Sequence, residues 1–140
     1  MPITIHHITP ANTALLDNID PDIFDDPISP VHLAAYLADP RHAMFVALAD
    51  NRVAGQIRGC VHLQPDRASD LYIDNLGTAP DHQRRGIASQ LMRALLAWGE
   101  AQGCTHAWVA TETDNGGAQG FYVAQTFEHR TITYFGLDLD

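Results

Sequence analysis

The chain has 140 residues, a net charge of −9 with all eight basic side chains arginine, 46% hydrophobic residues and two cysteines. That length predicts one domain, 1–140, able to bury roughly two thirds of its unfolded surface. The acidic balance argues against generic affinity for nucleic acid or an anionic membrane, which both require a basic surface, and either attracts a small cationic molecule or serves only solubility. No apolar run of about 18 residues is present, and the opening "MPITIHHITP" lacks a basic region, a long apolar segment and a cleavage site. The expectation is a cytoplasmic protein with no membrane partner.

The first strand is expected at "ITIHHI". A helix should follow over 10–18, opened by Thr9-Pro10, and another over 30–38, opened by Ser29-Pro30. Between them, Asp17, Asp20, Asp22, Asp25 and Asp26 lie in a proline-containing loop without the glycine of a calcium loop. This loop reads either as solvated surface or as a lip that attracts a cation. "HAMFVALA", the turn "DN" and "RVAGQIRGCVHL" predict a hairpin of strands 42–49 and 52–63. A strand over 70–79 precedes a long amphipathic helix, in which Ile87, Leu91, Leu95 and Trp98 recur at helical spacing until Gly103 stops the run. Then come a strand over 104–112, a short helix over 115–125 and a last strand over 130–139. The unit 70–111 is long enough for a right-handed crossover between parallel strands, which places the start of its helix where open α/β sheets bind ligands.

That helix start, "QRRGIAS", is suited to an anion. The first turn has unpaired N–H groups and a partial positive charge. Gly86 and Ala88 leave room, Ser89 adds a hydroxyl, and Arg84 and Arg85 add charged donors. The segment reads as a pyrophosphate cradle or as a helix start with two solvated arginines. A chain without lysine cannot hold GxxxxGK[ST], and no GxGxxG occurs.

"QRRGIA", Gln83 to Ala88, resembles the [RQ]-x-x-G-x-[GA] acetyl-CoA motif of the GNAT superfamily of N-acetyltransferases, and Asn115, Ala118 and Tyr122 match that family's later N-x-x-A-x-x-x-Y pattern. Where many members continue to glycine and phenylalanine, this chain has Thr126-Phe127. The resemblance implies an α/β (α+β) fold. Its central sheet is mixed and mainly antiparallel, with a parallel, splayed pair of fourth and fifth strands and flanking helices. It implies acetyl-CoA as cosubstrate, held by Gln83, Arg84, Arg85, Gly86, Ile87, Ala88 and Ser89 at the cradle. The pantetheine arm would pair with the strand at Leu76 and Thr78 and meet Asn115. A bulge near Asp74 and Asn75 would splay the strands, with Gly77 fitting the opening.

The implied reaction is direct attack of a primary amine on the acetyl thioester in a ternary complex. Tyr122 holds the position of the family's general acid, with core packing as its alternative role, and helix capping is the alternative for Asn115. For the base, Asp74 comes first and Glu112 second, with Asp114 and His62 as remoter choices. Cys60 and Cys104 read as buried small side chains, and no metal spacing is found. The acidic balance and "LYIDNLGTAPDHQRRGIA", distantly similar to aminoglycoside 3-N-acetyltransferases, point to a small-molecule cationic amine. Acetylation of a protein or peptide, or noncatalytic sensing of acetyl-CoA, are the alternatives. The last strand would allow a homodimer by pairing across a two-fold axis.

Overall fold

A computed structural model describes residues 2–79 and 86–140. Its contacts divide the chain into two units, 1–109 and 110–140. The first unit is a five-stranded sheet in the order β1-β2-β3-β4-β5. The strands are β1 Thr4–His7, β2 His42–Ala49, β3 Arg52–His62, β4 Asp70–Thr78 and β5 His106–Trp108. Neighbours are antiparallel except β4 and β5, which are parallel. Two helices complete this unit, α1 Pro30–Ala38 and α2 Ile87–Ala101.

Local chemistry sets most boundaries. The Ser29 hydroxyl accepts from the His32 backbone N–H at 3.3 Å, and Pro30 opens α1, where its missing N–H costs nothing. Asp50 and Asn51, with φ of 54° and 63°, form the left-handed two-residue turn that suits a tight hairpin. Gly103, with φ of 91°, ends α2: its N–H donates to the Glu100 carbonyl and that of Cys104 to the Gly99 carbonyl, both at 3.0 Å.

One sheet face packs on α2. Ile57, Leu71, Ile73, Ile87, Leu91, Met92 and Leu95 are each no more than 1% exposed, and burial of each such side chain stabilises by about 1.5–3 kcal/mol. The close approach requires a bare Cα on β3: a Cβ on Gly55 would lie 2.8 Å from Ile87 Cγ2 and 3.2 Å from the Gly77 carbonyl oxygen. The opposite face carries a second cluster of Ile8, Leu16, Ile23, Met44, Val46 and Val53.

Three expected elements differ. The helix expected over 10–18 is only a 3-10 turn, Thr13–Asp17. Asn12 accounts for this: its Oδ1 accepts from the Thr9 N–H at 2.7 Å and its Nδ2 donates to the His7 carbonyl at 2.9 Å, so the segment is tied to the end of β1. The strand expected over 104–112 is reduced to β5, because the N–H groups of Cys104 and Thr105 go to Gly99 and Ser69. The strand expected over 130–139 does not form.

The second unit contains α3, Gly116–Ala124, followed by an extended segment. On that segment Ile132, Tyr134, Phe135, Leu137 and Leu139 are exposed. Apolar alternation makes a strand only where another edge supplies hydrogen bonds, and none pairs with it among the described residues.

Candidate active site

The site in the first unit is built around an irregularity in β4. Arg58 of β3 pairs with Asn75, yet the next residue, Gly59, pairs with Ile73, so Asp74 is the extra residue of a β-bulge. The bulge lies where the family resemblance implies it. Ile73 on one side of it and Leu76 on the other are paired with Gly59 and Ile57, on the face that packs on α2. Asp74 lies on the opposite face, near Tyr36, Cys60 and Tyr72, whose ionisation its charge disfavours.

Pairing with β5 stops at Tyr72 and Trp108, whose rings meet at a tilt of 32° with centroids 4.5 Å apart. β4 then continues to Thr78 with no strand on that side among the described residues, and this stretch carries Leu76 and Thr78. An unpaired strand edge offers backbone donors and acceptors to an extended ligand. Gly77 has a different reason from the expected opening: a Cβ there would lie 2.6 Å from the Ile23 carbonyl oxygen, so the glycine lets the acidic loop pack onto the strand. Gln56, fully buried, ties the two together by donating from Nε2 to the Ile23 carbonyl at 3.2 Å and to Asn75 Oδ1 at 2.5 Å.

The start of α2 suits an anion. Gly86 stands at its N-cap with φ of 76°, a left-handed conformation that favours glycine, and no side chain among the described residues caps the helix. Among the described residues, Gln90 Nε2, at 3.9 Å, is what would lie near a Cβ added there. Ile87 is buried in the first turn and Ala88 and Ser89 are half-buried, and the first-turn amides of a helix are a site suited to phosphate oxygens. Gln83, Arg84 and Arg85 lie outside the described residues.

Glu112, Asn115 and Tyr122 belong to the second unit. Asn115 caps α3, its Oδ1 accepting from the Ala118 N–H at 3.0 Å, which leaves its amide N–H groups for another partner. Tyr122 packs edge-on against Phe121 and Phe127, and burial pushes its phenol above the ordinary value, so it stays protonated. The side chain of Glu112 is exposed, while its backbone carbonyl accepts from the N–H of Asn115 and from Gln119 Nε2. The capping and packing roles weighed for Asn115 and Tyr122 are thus both realised.

On the Asp74 face, a cavity of about 390 Å³ opens between α1, the acidic loop and β3. Tyr36, Met44 and Arg58 line its interior, and Asp25 and Asp26 line its exposed rim. The Tyr36 hydroxyl donates to the Ala43 carbonyl at 2.9 Å, and burial pushes its phenol far up. Sequence reasoning missed Tyr36 and Arg58. The signal was in β3: Gly55, Ile57 and Gly59 form an apolar, small face, which leaves Gln56 and Arg58 as a polar pair on the other.

Burial also raises the Cys60 and Cys104 thiols, which keeps both out of the nucleophilic thiolate form. Among the described residues no group of three or more His, Cys, Asp or Glu could hold a metal ion, and no helix is long and apolar enough to cross a membrane.

Residues 11–127 match the model of a family described as Acetyltransferase (GNAT) family. An uncharacterized N-acetyltransferase of Mycobacterium tuberculosis is 33% identical over 107 residues, covering 74% of this chain and 64% of the relative. The chain thus spans under two thirds of that relative's length. An aminoglycoside N(6')-acetyltransferase type 1 of Salmonella typhimurium is 28% identical over 103 residues, covering 66% of this chain and 68% of the relative. Among solved structures, an aminoglycoside acetyltransferase from an uncultured soil metagenomic sample superposes with a TM-score of 0.85 at 20% identity, covering 100% of both chains. The aminoglycoside N-acetyltransferase AAC(6')-Iy in complex with CoA gives a TM-score of 0.82 at 21% identity, covering 98% of this chain and 95% of that one. These superpositions establish the fold. The narrower resemblance is corrected, because the Salmonella relative and AAC(6')-Iy are named for the 6'-N position and not for 3-N.

Proposed function

Because this chain belongs to the acetyltransferase (GNAT) family, we propose that it is an N-acetyltransferase that moves an acetyl group from acetyl-CoA to a primary amine of a small cationic acceptor. The observation that carries this reading is the Asp74 bulge directly after the last β4–β5 pair. It sets a carboxylate beside a strand edge left open for an extended ligand among the described residues, and the glycine-led start of α2 belongs to the same unit.

Acetyl-CoA supplies the activated acetyl thioester. The residues fit it: the amides following Gly86 receive pyrophosphate oxygens, Gln83, Arg84 and Arg85 complete the cradle, and Leu76 and Thr78 present backbone groups to the pantetheine arm. Asn115 donates its side-chain N–H to the same arm. Asp74 accepts the proton that the ammonium must lose before attack, directly or through one water, and Glu112 is the second choice for this task. Tyr122 donates its proton to the departing thiolate, a role that a phenol held neutral by burial can fill. A net charge of −9 and the rim carboxylates of Asp25 and Asp26 favour a cationic acceptor. The cavity volume, about 390 Å³, is that of a small-molecule pocket.

The test is CoA thiol release from acetyl-CoA with aminoglycosides, polyamines, amino acids and short peptides. Saturable turnover with one class, lost in Asp74→Asn, is the expected result. Saturable acetyl-CoA binding without turnover of any amine would replace the transferase with a sensing module.

A further inference from the structure

Arg58 is a cation set inside an acidic rim. It projects from β3 into the cavity, with its guanidinium carbon 5.8 Å from the centroid of the Phe24 ring. Among the described residues it forms no ion pair, and its Nε is buried without a hydrogen-bond partner. A buried guanidinium donor left unpaired is costly unless something else satisfies it. Carboxylates are close at hand but differently placed: Asp25 and Asp26 are exposed at the rim, and Asp74 is exposed at the bulge. The Tyr36 phenol feels Arg58 and Asp74 with opposite sign, so both charges bear on one hydroxyl. The cavity is therefore electrically polarised, with the positive group within and the negative groups at its mouth and beside the bulge.

We infer that Arg58 is a specificity determinant that binds a carboxylate of the acceptor, so that the acceptor is a cationic amine also carrying a carboxylate, of the diamino-acid type. A guanidinium can meet a carboxylate through two parallel N–H donors. Arg58 pairs across the strands with Asn75, adjacent to Asp74, so an acceptor anchored by its carboxylate at Arg58 directs an amine toward the bulge. Aminoglycosides carry amines and no carboxylate, so this pocket is matched to a different acceptor from those in the names of the related enzymes.

The inference rests on the transferase reading, and two readouts separate their failures. Transfer is measured with 2,4-diaminobutyrate, ornithine, lysine and arginine, each as the free acid and as the carboxamide. The wild type is expected to prefer the acid by roughly 10- to 100-fold in kcat/KM. In Arg58→Met, which keeps an unbranched side chain and removes the guanidinium, the preference should vanish. Arg58→Lys should keep part of it, and thermal unfolding checks that both variants fold. Equal or better use of the carboxamides, or a preference that survives in Arg58→Met, overturns the inference. In parallel, the same free acids are titrated into protein saturated with CoA while the arginine Nε–H resonances are followed. Carboxylate binding lost in Arg58→Met, with no turnover of any amine, would sink the transferase reading and uphold the anion site. No binding of any of these acids would sink the anion site, whatever the turnover.

Discussion

The backbone N–H of Phe127 donates to the Tyr122 carbonyl at 3.1 Å while their rings meet edge-on, with centroids 5.7 Å apart. Together with the Thr126 N–H, which reaches the Val123 carbonyl at 3.0 Å, this closes α3 by the same pattern of bonds that ends α2. The closing residue of α2 is Gly103, whereas here it is Thr126, forced to a φ of 67°. Thr126 thus holds the left-handed conformation that glycine takes at the end of α2.

Thr126→Gly should therefore stabilise the protein. Relief of the left-handed strain exceeds the added freedom of the unfolded chain by about 0.5–1 kcal/mol, which raises Tm by roughly 2–4 °C. Differential scanning calorimetry checks it, with Thr126→Val as the control that should fall below wild type. A lower Tm for the glycine variant would show that the bond from the Thr126 hydroxyl to the Gln125 carbonyl outweighs the strain.

Tyr122→Phe should lower kcat by about 10²-fold or more, since a positioned acid contributes that much. The ring contacts with Phe121 and Phe127 survive the change, so Tm and the KM for acetyl-CoA should stay near wild type. The raised phenol also predicts that Tyr122 produces no alkaline fall in activity below about pH 10. Steady-state kinetics across pH, with unchanged kcat in Tyr122→Phe, would remove it from the chemistry.

Tyr36 makes stability fall in alkali. Below the unfolded pKa of about 10 both states hold the proton. Above it the unfolded chain ionises while the buried phenol does not, so stability declines progressively from about pH 10 upward. Urea unfolding of wild type and Tyr36→Phe at pH 8 and pH 11 should show a smaller pH dependence in the variant. At pH 8 that variant is about 1 kcal/mol less stable through loss of the bond to the Ala43 carbonyl, and at pH 11 the ionisation it avoids offsets that loss.

Gly55→Ala should destabilise by about 1–3 kcal/mol. The new methyl meets Ile87 Cγ2 at 2.8 Å, and behind it the Gly77 carbonyl at 3.2 Å, which belongs to the sheet and cannot rotate away. A denaturation midpoint within error of wild type would show that α2 can lift from the sheet without cost.

The elements legible in the sequence were those fixed by neighbours along the chain. Ser29-Pro30 opens α1, Asp50-Asn51 makes the hairpin and Gly103 stops α2, each through bonds spanning a few residues. The bulge at Asp74 was legible only through the family resemblance, because its cause is the register with β3. The segment 130–139 shows the converse. Its alternation satisfies a strand pattern, yet pattern supplies no partner edge. The cavity was unread for the same reason: Tyr36 and Arg58 are 22 positions apart in sequence and meet only through the packing of α1 over β3.

The bulge also makes β4 two strands of opposite parity. Before Asp74 the odd-numbered Leu71 and Ile73 face α2, and after it the even-numbered Leu76 does. Excision of that single residue would leave Arg58 opposite Asn75, Gly59 opposite Ile73 and an unbroken ladder between them. Such a chain of one residue fewer keeps its core, its length within a peptide unit and nearly its whole composition, while losing both the carboxylate and the local twist. For a close relative of this protein, then, a one-codon gap at this position is the mark to look for: it would identify a scaffold that folds alike without the carboxylate proposed here as the base.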